Sequence, residues 1–455
     1  MRAQISNSPS ATRILADRAS AYRFDELPED IVLLSNQCVL DFFAVSLAGS
    51  RSEPVQILFD AALEEGGGGA TIVGRQATAT PFWASWINGA AAHVHVYDDV
   101  NMVIPGHGSA TTLPAVLALA EKTGASGRQV IEAFVAGYET SCAIAAAVSP
   151  SHYAMGYHAS STIGSFGAMA AAGRLHGLTG EQIAEGFGIA STMAAGFKGV
   201  FGTMAKCIQV GRTSATGVIA ASLAKRGMTS GGTIFEHPQG FVAVQSKADP
   251  DRIDFSQPLG FFALRNNLFK HYAACYMANA PIECAFALRD ALGARVGALE
   301  RVEVIVSPAV QNVCNIQLPA TALEAKYSVR TVVAMVLSDI NPASLDNFER
   351  VARDFDLVGA VANVTHVRFD PDFNETTCEI HVHLKDGEIL RHRHDAGIAE
   401  SDLARQGRQL RQKFDSFVTP ILGESRTVEL REAIMDLPFH SSLGPIMRIA
   451  GQPAE

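Results

Sequence analysis

From Phe82 to about Lys225 the chain is built largely from Ala, Gly and Ser, with few β-branched residues. Small side chains on several faces let helix axes approach closely. The segment therefore predicts a compact all-helical core and not a solvated bundle. Pro114 to Lys122, Arg128 to Val148 and Ser161 to His176 each read as a helix. Ala-Ser-Gly at 125–127 and His-Gly-Leu-Thr-Gly at 176–180 separate them, and Thr179 is a predicted N-cap.

On the N-terminal side, Pro28 to about Leu63 carries apolar residues at helical spacing, among them Ile31, Leu34, Cys38, Val39, Phe42 and Phe43. Gly66 to Gly69 then precede a β-like run, Ala70 to Val73. A phosphate-binding loop needs a preceding strand and a following Gly-Lys-Ser/Thr, and neither is present. A helix-to-strand connection is expected here. Near Pro258 to Leu268 the texture changes. Met277 to Leu292 is again helical, but Val302 to Val306 alternates as a strand. Cys378 to Leu384 and Ile389 to His394 read as a hairpin turning at Asp386-Gly387. Its alternation is expected to put His381, His383, His392 and His394 together on a solvent-facing side. From Ser401 onward helix-like residues return. The expected fold class is mainly α with a smaller α+β domain. A helical domain over 1–265 is completed by a C-terminal helical return over 396–455, and an α+β lid spans 266–395.

Composition narrows the function. With 48% apolar and 18% charged residues over 455 positions, the chain is not disordered. Its 36 basic against 46 acidic residues give no basic footprint, so no nucleic-acid partner is expected. A local cluster of cations remains compatible with a small acidic substrate. The first thirty residues lack an apolar signal region. The apolar stretch around Cys142 to Val148 reads as a buried helix, shorter than a membrane span. Seven cysteines without a Cys-x-x-Cys spacing fit free thiols in a reducing compartment. A cytoplasmic protein without a membrane partner is expected.

Four segments concentrate reactive groups. Asn88 to Asp99, continuing to Pro105-Gly-His107-Gly-Ser109, carries His93-x-His95. On a helix two such rings diverge by about 200°, which argues against a zinc pair there. His107 lies between glycines ahead of the helix expected from Pro114, where helix-end dipoles favour an anion. Gly156-Tyr-His158 leads an Ala/Gly-rich helix. Gly199 to Gly217 carries Arg212 and Lys206, the latter the only charge between Val200 and Gln209. Phe269-Lys270-His271 to Cys275 places a cation pair at the border between the two textures, where ligand pockets tend to lie.

In order and spacing these segments resemble the MmgE/PrpD family. The resembling text runs Asn88-Gly…His93…Tyr97-Asp-Asp99…His107-Gly-Ser, then Gly156-x-His158…Gly164-x-Phe-Gly and Lys206…Gly211. Leu223-x-x-x-Gly-x-Thr, Lys270-x-Tyr…Cys275 and Ala325-Lys-Tyr-Ser328 complete it. The family includes 2-methylcitrate dehydratases, cis-aconitate decarboxylases and iminodisuccinate epimerases. The resemblance implies a helical domain, an α+β lid, a site between them, a homodimer and no metal or other cofactor. It carries catalytic roles onto His107, His158, Lys206 and Lys270, with Lys206, Lys270 and His107 binding the substrate carboxylates.

Three positions depart from the pattern. Val96 stands where decarboxylases and dehydratases have aspartate, Cys275 where decarboxylases have histidine, and Thr331 where they have tyrosine. These departures count against cis-aconitate decarboxylation, weaken the methylcitrate reading, and leave the fold and the anion-binding cations in place. The expected chemistry is proton removal α to a carboxylate by His107 or His158, with the carbanion held by the lysines. Cys275 is a candidate acid, since a thiol beside lysine ionises more readily. A dehydratase acting on a small di- or tricarboxylate is the first expectation. The alternatives are an epimerase of an α-substituted dicarboxylate such as iminodisuccinate, and a non-catalytic carboxylate binder.

Overall fold

The computed structural model describes residues 9–256 and 262–452. The texture change expected from Pro258 thus begins outside the described residues, and Phe262 onward lies within them.

Glycine facing glycine sets the centre of the helical part. Helix Pro81–His93 crosses helix Ala205–Lys225 at Gly89 and Gly211. A β-carbon at Gly211 would lie 2.1 Å from the Trp86 carbonyl oxygen, and one at Gly89 would lie 2.9 Å from the Gly211 Cα. Helices Gly127–Val148 and Gly164–Leu175 meet in the same way. A β-carbon on Gly137 would lie 2.6 Å from the Gly167 oxygen. Side chains of ordinary size would force these axes apart. The capping box at Thr179 starts helix Gly180–Ser191 at its expected place.

One helix starts earlier than the sequence indicates. Gly108–Thr123 begins directly after His107 and carries Pro114 in its interior. Proline is favoured in a first turn, which is why the sequence points to Pro114 as a start. Helices Glu29–Gly49 and Gly127–Val148 are long and apolar enough to cross a membrane. The second, of 22 residues, matches the helix read over Arg128 to Val148, but its apolar window is longer than the stretch around Cys142 to Val148 suggested. In each, 83% of the most apolar window is buried inside the protein, so both are core helices.

The α+β part holds a four-stranded mixed sheet. Strand Leu299–Val306 pairs in parallel with Thr365–Phe369 and antiparallel with Thr377–Leu384, which pairs antiparallel with Ile389–Asp395. Cys378, Ile380, Val382 and Leu384 are fully buried beside Val302 and Val304, while helix Asn279–Leu292 covers that side. Strand Thr365–Phe369 escaped the sequence reading because it is only five residues long and just its first residue is buried.

The hairpin register corrects the four-histidine face. Ile380 pairs with His392 and Cys378 with His394, whereas His381 pairs with Arg391. Directly opposed residues share a face, so His392 and His394 lie on the opposite side from His381 and His383.

The C-terminal helix Leu403–Leu422 packs along Glu29–Gly49. Its buried Lys413 bonds Asp41 Oδ1 at 2.6 Å, the Tyr97 carbonyl at 2.8 Å and the Lys270 carbonyl at 3.0 Å. One ammonium thereby ties together three chain segments that are remote in sequence.

Candidate active site

The Gly89–Gly211 crossing does more than pack two helices. His93 lies one turn beyond Gly89, and Lys206 lies five residues before Gly211, so their side chains meet. Lys206 Nζ donates to His93 Nε2, and His93 Nδ1 lies 2.8 Å from Asp98 Oδ2. An ammonium only donates, so His93 carries its proton on Nδ1 and is neutral. Burial, opposed by Asp98, pushes its pKa down to about 3.

The loop after His93 supplies the next members. His107 is the N-cap of Gly108–Thr123, with its backbone N–H bonded to Ser160 Oγ at 3.0 Å. Its Nδ1 faces two acceptors, the Asp99 carbonyl at 2.8 Å and Asp98 Oδ2 at 3.0 Å. The proton is therefore on Nδ1, and Nε2 keeps its lone pair. Burial lowers the His107 pKa, against the pull of Asp98. For Asp98 itself burial opposes ionisation, but the adjoining His107 and His93 outweigh it and hold the carboxyl well below its usual range. Neighbouring Asp99 behaves differently. Burial and the nearby Asp41 raise it to about 7, and it accepts from Ser109 Oγ and Asn267 Nδ2.

His158 has the opposite tautomer, and Gln209 decides it. Gln209 Oε1 accepts the Phe197 N–H at 3.1 Å, and its Nε2 donates to the Phe197 carbonyl at 3.3 Å, which fixes the amide orientation. The same Nε2 lies 2.7 Å from His158 Nδ1. His158 Nδ1 must accept, so its proton is on Nε2. Burial first, then Lys206, keeps this ring neutral.

His107, His158, Lys206, Lys270 and Cys275, the five residues singled out from the sequence, line one crevice together with Phe201 and Tyr327. Burial lowers the Lys206 pKa to about 8 and also lowers that of Lys270, with Asp98 opposing both. Lys270 Nζ donates to the Val96 carbonyl at 2.8 Å. The Cys275 pKa falls to about 7, chiefly through a hydrogen bond from Cys314 and then through Lys270. The crevice thus presents two lysines, a ring acceptor, a ring donor and an acidified thiol. Such a set recognises carboxylate and moves protons.

Other residues from the reactive segments turn elsewhere. His95 bonds the Ala48 carbonyl at 3.2 Å, and Arg212 caps the Met193 and Ala195 carbonyls. His271 does not line the crevice. His93 and His95 diverge where the helix ends, since His93 is its last residue and His95 lies in the turn that follows. The group His93, Asp98 and His107 could hold a metal by proximity alone, but its donor atoms bond one another and an ammonium abuts His93.

Family models for the MmgE/PrpD N-terminal domain and C-terminal domain match residues 13–253 and 272–437. The chain belongs to the MmgE/PrpD family. It is 24% identical to a cis-aconitate decarboxylase of Aspergillus terreus, across 96% of this chain and 95% of that protein. The human cis-aconitate decarboxylase is also 24% identical, across 94% and 92%. The mouse enzyme is 24% identical, across 91% and 88%.

Two departures from the MmgE/PrpD pattern acquire a physical description. Val96 lines the crevice with φ at 58°, a left-handed conformation that aspartate tolerates far better than a β-branched side chain. Thr331 is fully buried and bonds Ser328 Oγ at 2.8 Å. Four residues earlier in the chain Tyr327 lines the crevice, and its buried hydroxyl oxygen has no partner among the described residues. Sequence reasoning assigned no role to His93, Asp98, Gln209, Tyr327 or Lys413. The motifs His93…Tyr-Asp-Asp99 and Ala325-Lys-Tyr-Ser328 contained three of them. Gln209 and Lys413 had no local signal, since their roles exist only through contacts distant in sequence.

Proposed function

We propose that this MmgE/PrpD protein is a lyase that dehydrates a small hydroxylated di- or tricarboxylate through a carbanion next to a carboxylate. The observation that carries the reading is the pair of neutral histidines with opposite tautomers in one crevice. His107 offers a lone pair, His158 offers an N–H, and two lysines flank them. β-Elimination of water needs such a division between base and donor.

Lys206 and Lys270 hold the substrate carboxylates, and the Tyr327 hydroxyl adds a donor. His107 Nε2 removes the proton α to a carboxylate. The resulting imidazolium keeps its Nδ1–H on ionised Asp98, which stabilises the new charge. Negative charge that develops on the carboxylate as an enolate is met by the lysine ammoniums. His158 Nε2–H donates a hydrogen bond to the departing hydroxyl and remains neutral, the C–O bond breaks, the electron pair forms the alkene, and the proton held by the His107 imidazolium passes to the hydroxide to give water. The products are water and an unsaturated polycarboxylate. The polycarboxylate class is supported by the full-length likeness to enzymes named for cis-aconitate.

A second reading rests on Cys275. A thiol with a pKa near 7 in the crevice is suited to return a proton to carbon, as an epimerase of an α-substituted dicarboxylate requires. The test is a panel of hydroxy and amino polycarboxylates, with cis-aconitate, followed by NMR in deuterated water. Loss of water with a new alkene signal supports the dehydratase. Deuterium at Cα without an alkene replaces it with the epimerase. Release of CO2 from cis-aconitate replaces it with a decarboxylase.

A further inference from the structure

Outside the crevice, the solvent side of the sheet carries a second group of nitrogen and oxygen donors. His381 and His383 are two apart on strand Thr377–Leu384 and therefore project to the same face. Glu303, on the adjacent strand, is the direct cross-strand partner of His381. One donor atom from each of Glu303, His381 and His383 lies within 4.8 Å of the others.

Two distances give this cluster a metal-like form. His381 Nδ1 stands 3.5 Å from Glu303 Oε2, too far for a good hydrogen bond. Two ligands on a tetrahedral zinc, each about 2.0–2.1 Å from the metal, are separated by about 3.4 Å. The other nitrogen of that ring, Nε2, lies 2.6 Å from Glu379 Oε1. Metal-bound imidazoles take this arrangement, one nitrogen on the ion and the other donating to a carboxylate. A neutral ring has one N–H to share between two carboxylates, so a cation at Nδ1 would satisfy both sides.

We propose that Glu303, His381 and His383 form a site for a divalent transition cation of the zinc type on the solvent face of the α+β sheet. Two imidazoles and one carboxylate match zinc's preferred donors, with water completing the tetrahedron. Arg301 moderates the affinity. Its Nη2 lies 3.2 Å from His383 Nε2 and must be displaced or outcompeted by the incoming ion. The site is separate from the crevice and does not depend on the reaction proposed there.

Isothermal titration of the chelator-treated full chain with Zn2+ tests the proposal. Saturable uptake is expected to weaken at least about tenfold in His383→Ala and in Glu303→Gln, since each loses one of three protein ligands. Arg301→Gln is expected to tighten it. His392→Ala, on the opposite face, should leave it unchanged. All four positions are at or near the surface, so the variants should fold, which their melting curves would check. No saturable uptake, or uptake that survives the double variant His381→Ala/His383→Ala, overturns the proposal.

Discussion

The protein contains the spacing His-x-His three times, and the copies at His93 and His381 do opposite things. At the end of helix Pro81–His93 the rings of His93 and His95 diverge, one toward Lys206 and Asp98 and the other to the Ala48 carbonyl. On strand Thr377–Leu384, His381 and His383 share a face with Glu303. His95 stands in the turn just past the last helical residue, so the two rings part there, whereas strand alternation aligns His381 with His383. Burial widens the contrast. His93, His107 and His158 sit in the interior with their key protons assigned by fixed partners, whereas His381 and His383 stay partly open to water. A histidine motif therefore has chemical meaning only once its element and its surroundings are known.

The sharpest way to break this comparison is to exchange the members' fates by mutation. His107→Gln is expected to lower kcat by about 10²- to 10⁴-fold, the usual contribution of a positioned general base. His95→Ala and His381→Ala should leave kcat unchanged on the substrate that the panel identifies. An equal loss in His95→Ala would show that proximity to the site, not the assigned proton, sets the rate.

The tautomer of His158 gives a smaller effect. Gln209→Glu replaces the donor at His158 Nδ1 with an acceptor, so the ring proton moves to Nδ1 and Nε2 loses its N–H. Steady-state kinetics should show kcat falling by about 10²-fold with KM little changed, toward the lower end for loss of a positioned donor. Gln209→Ala, which leaves His158 Nδ1 with only the Ser161 hydroxyl at 3.0 Å as a partner, should lose less. Equal losses in the two variants would reduce Gln209 to a packing residue.

The pH profile is gentler still. Lys206 holds carboxylate only while charged, so kcat/KM should fall as pH rises through about 8. Lys206→Arg should shift that limb upward if it retains activity, since a guanidinium stays charged. A limb that stays near 8 in this variant would assign it to another group.

The smallest signal is the effect of the buried rings on stability. His93, His107 and His158 titrate below the ordinary histidine value in the folded protein. Their contribution is full above about 6.5, the unfolded value, and is lost as pH falls toward the depressed values, because the unfolded chain takes up protons that the folded one refuses. The melting temperature should drop as pH decreases below about 6.5. A melting temperature that stays constant as pH falls below about 6.5 would show that the buried rings take up protons as readily folded as unfolded.

Much of this organisation was legible in the residues. The Ala/Gly/Ser stretch pointed to close-packed helices, and Gly89 against Gly211 is the contact that makes such packing obligatory. The five reactive residues drawn from four segments do share one crevice. The hairpin was visible at Asp386-Gly387, but its register was not. Alternation gives the face of each residue within one strand, and only the pairing tells which residues of the next strand join it.

What the sequence determined by itself was the inventory: helices of small residues, a sheet-bearing segment, and the lysines and histidines suited to holding a carboxylate. Tertiary structure decided how those groups act. The lone pair on His107 depends on Asp98 and the Asp99 carbonyl, the N–H on His158 depends on Gln209, and the place of Lys270 depends on Lys413 from the far end of the chain. A proton's location is set by the acceptors and donors around it in space, and residue order along the chain does not specify them.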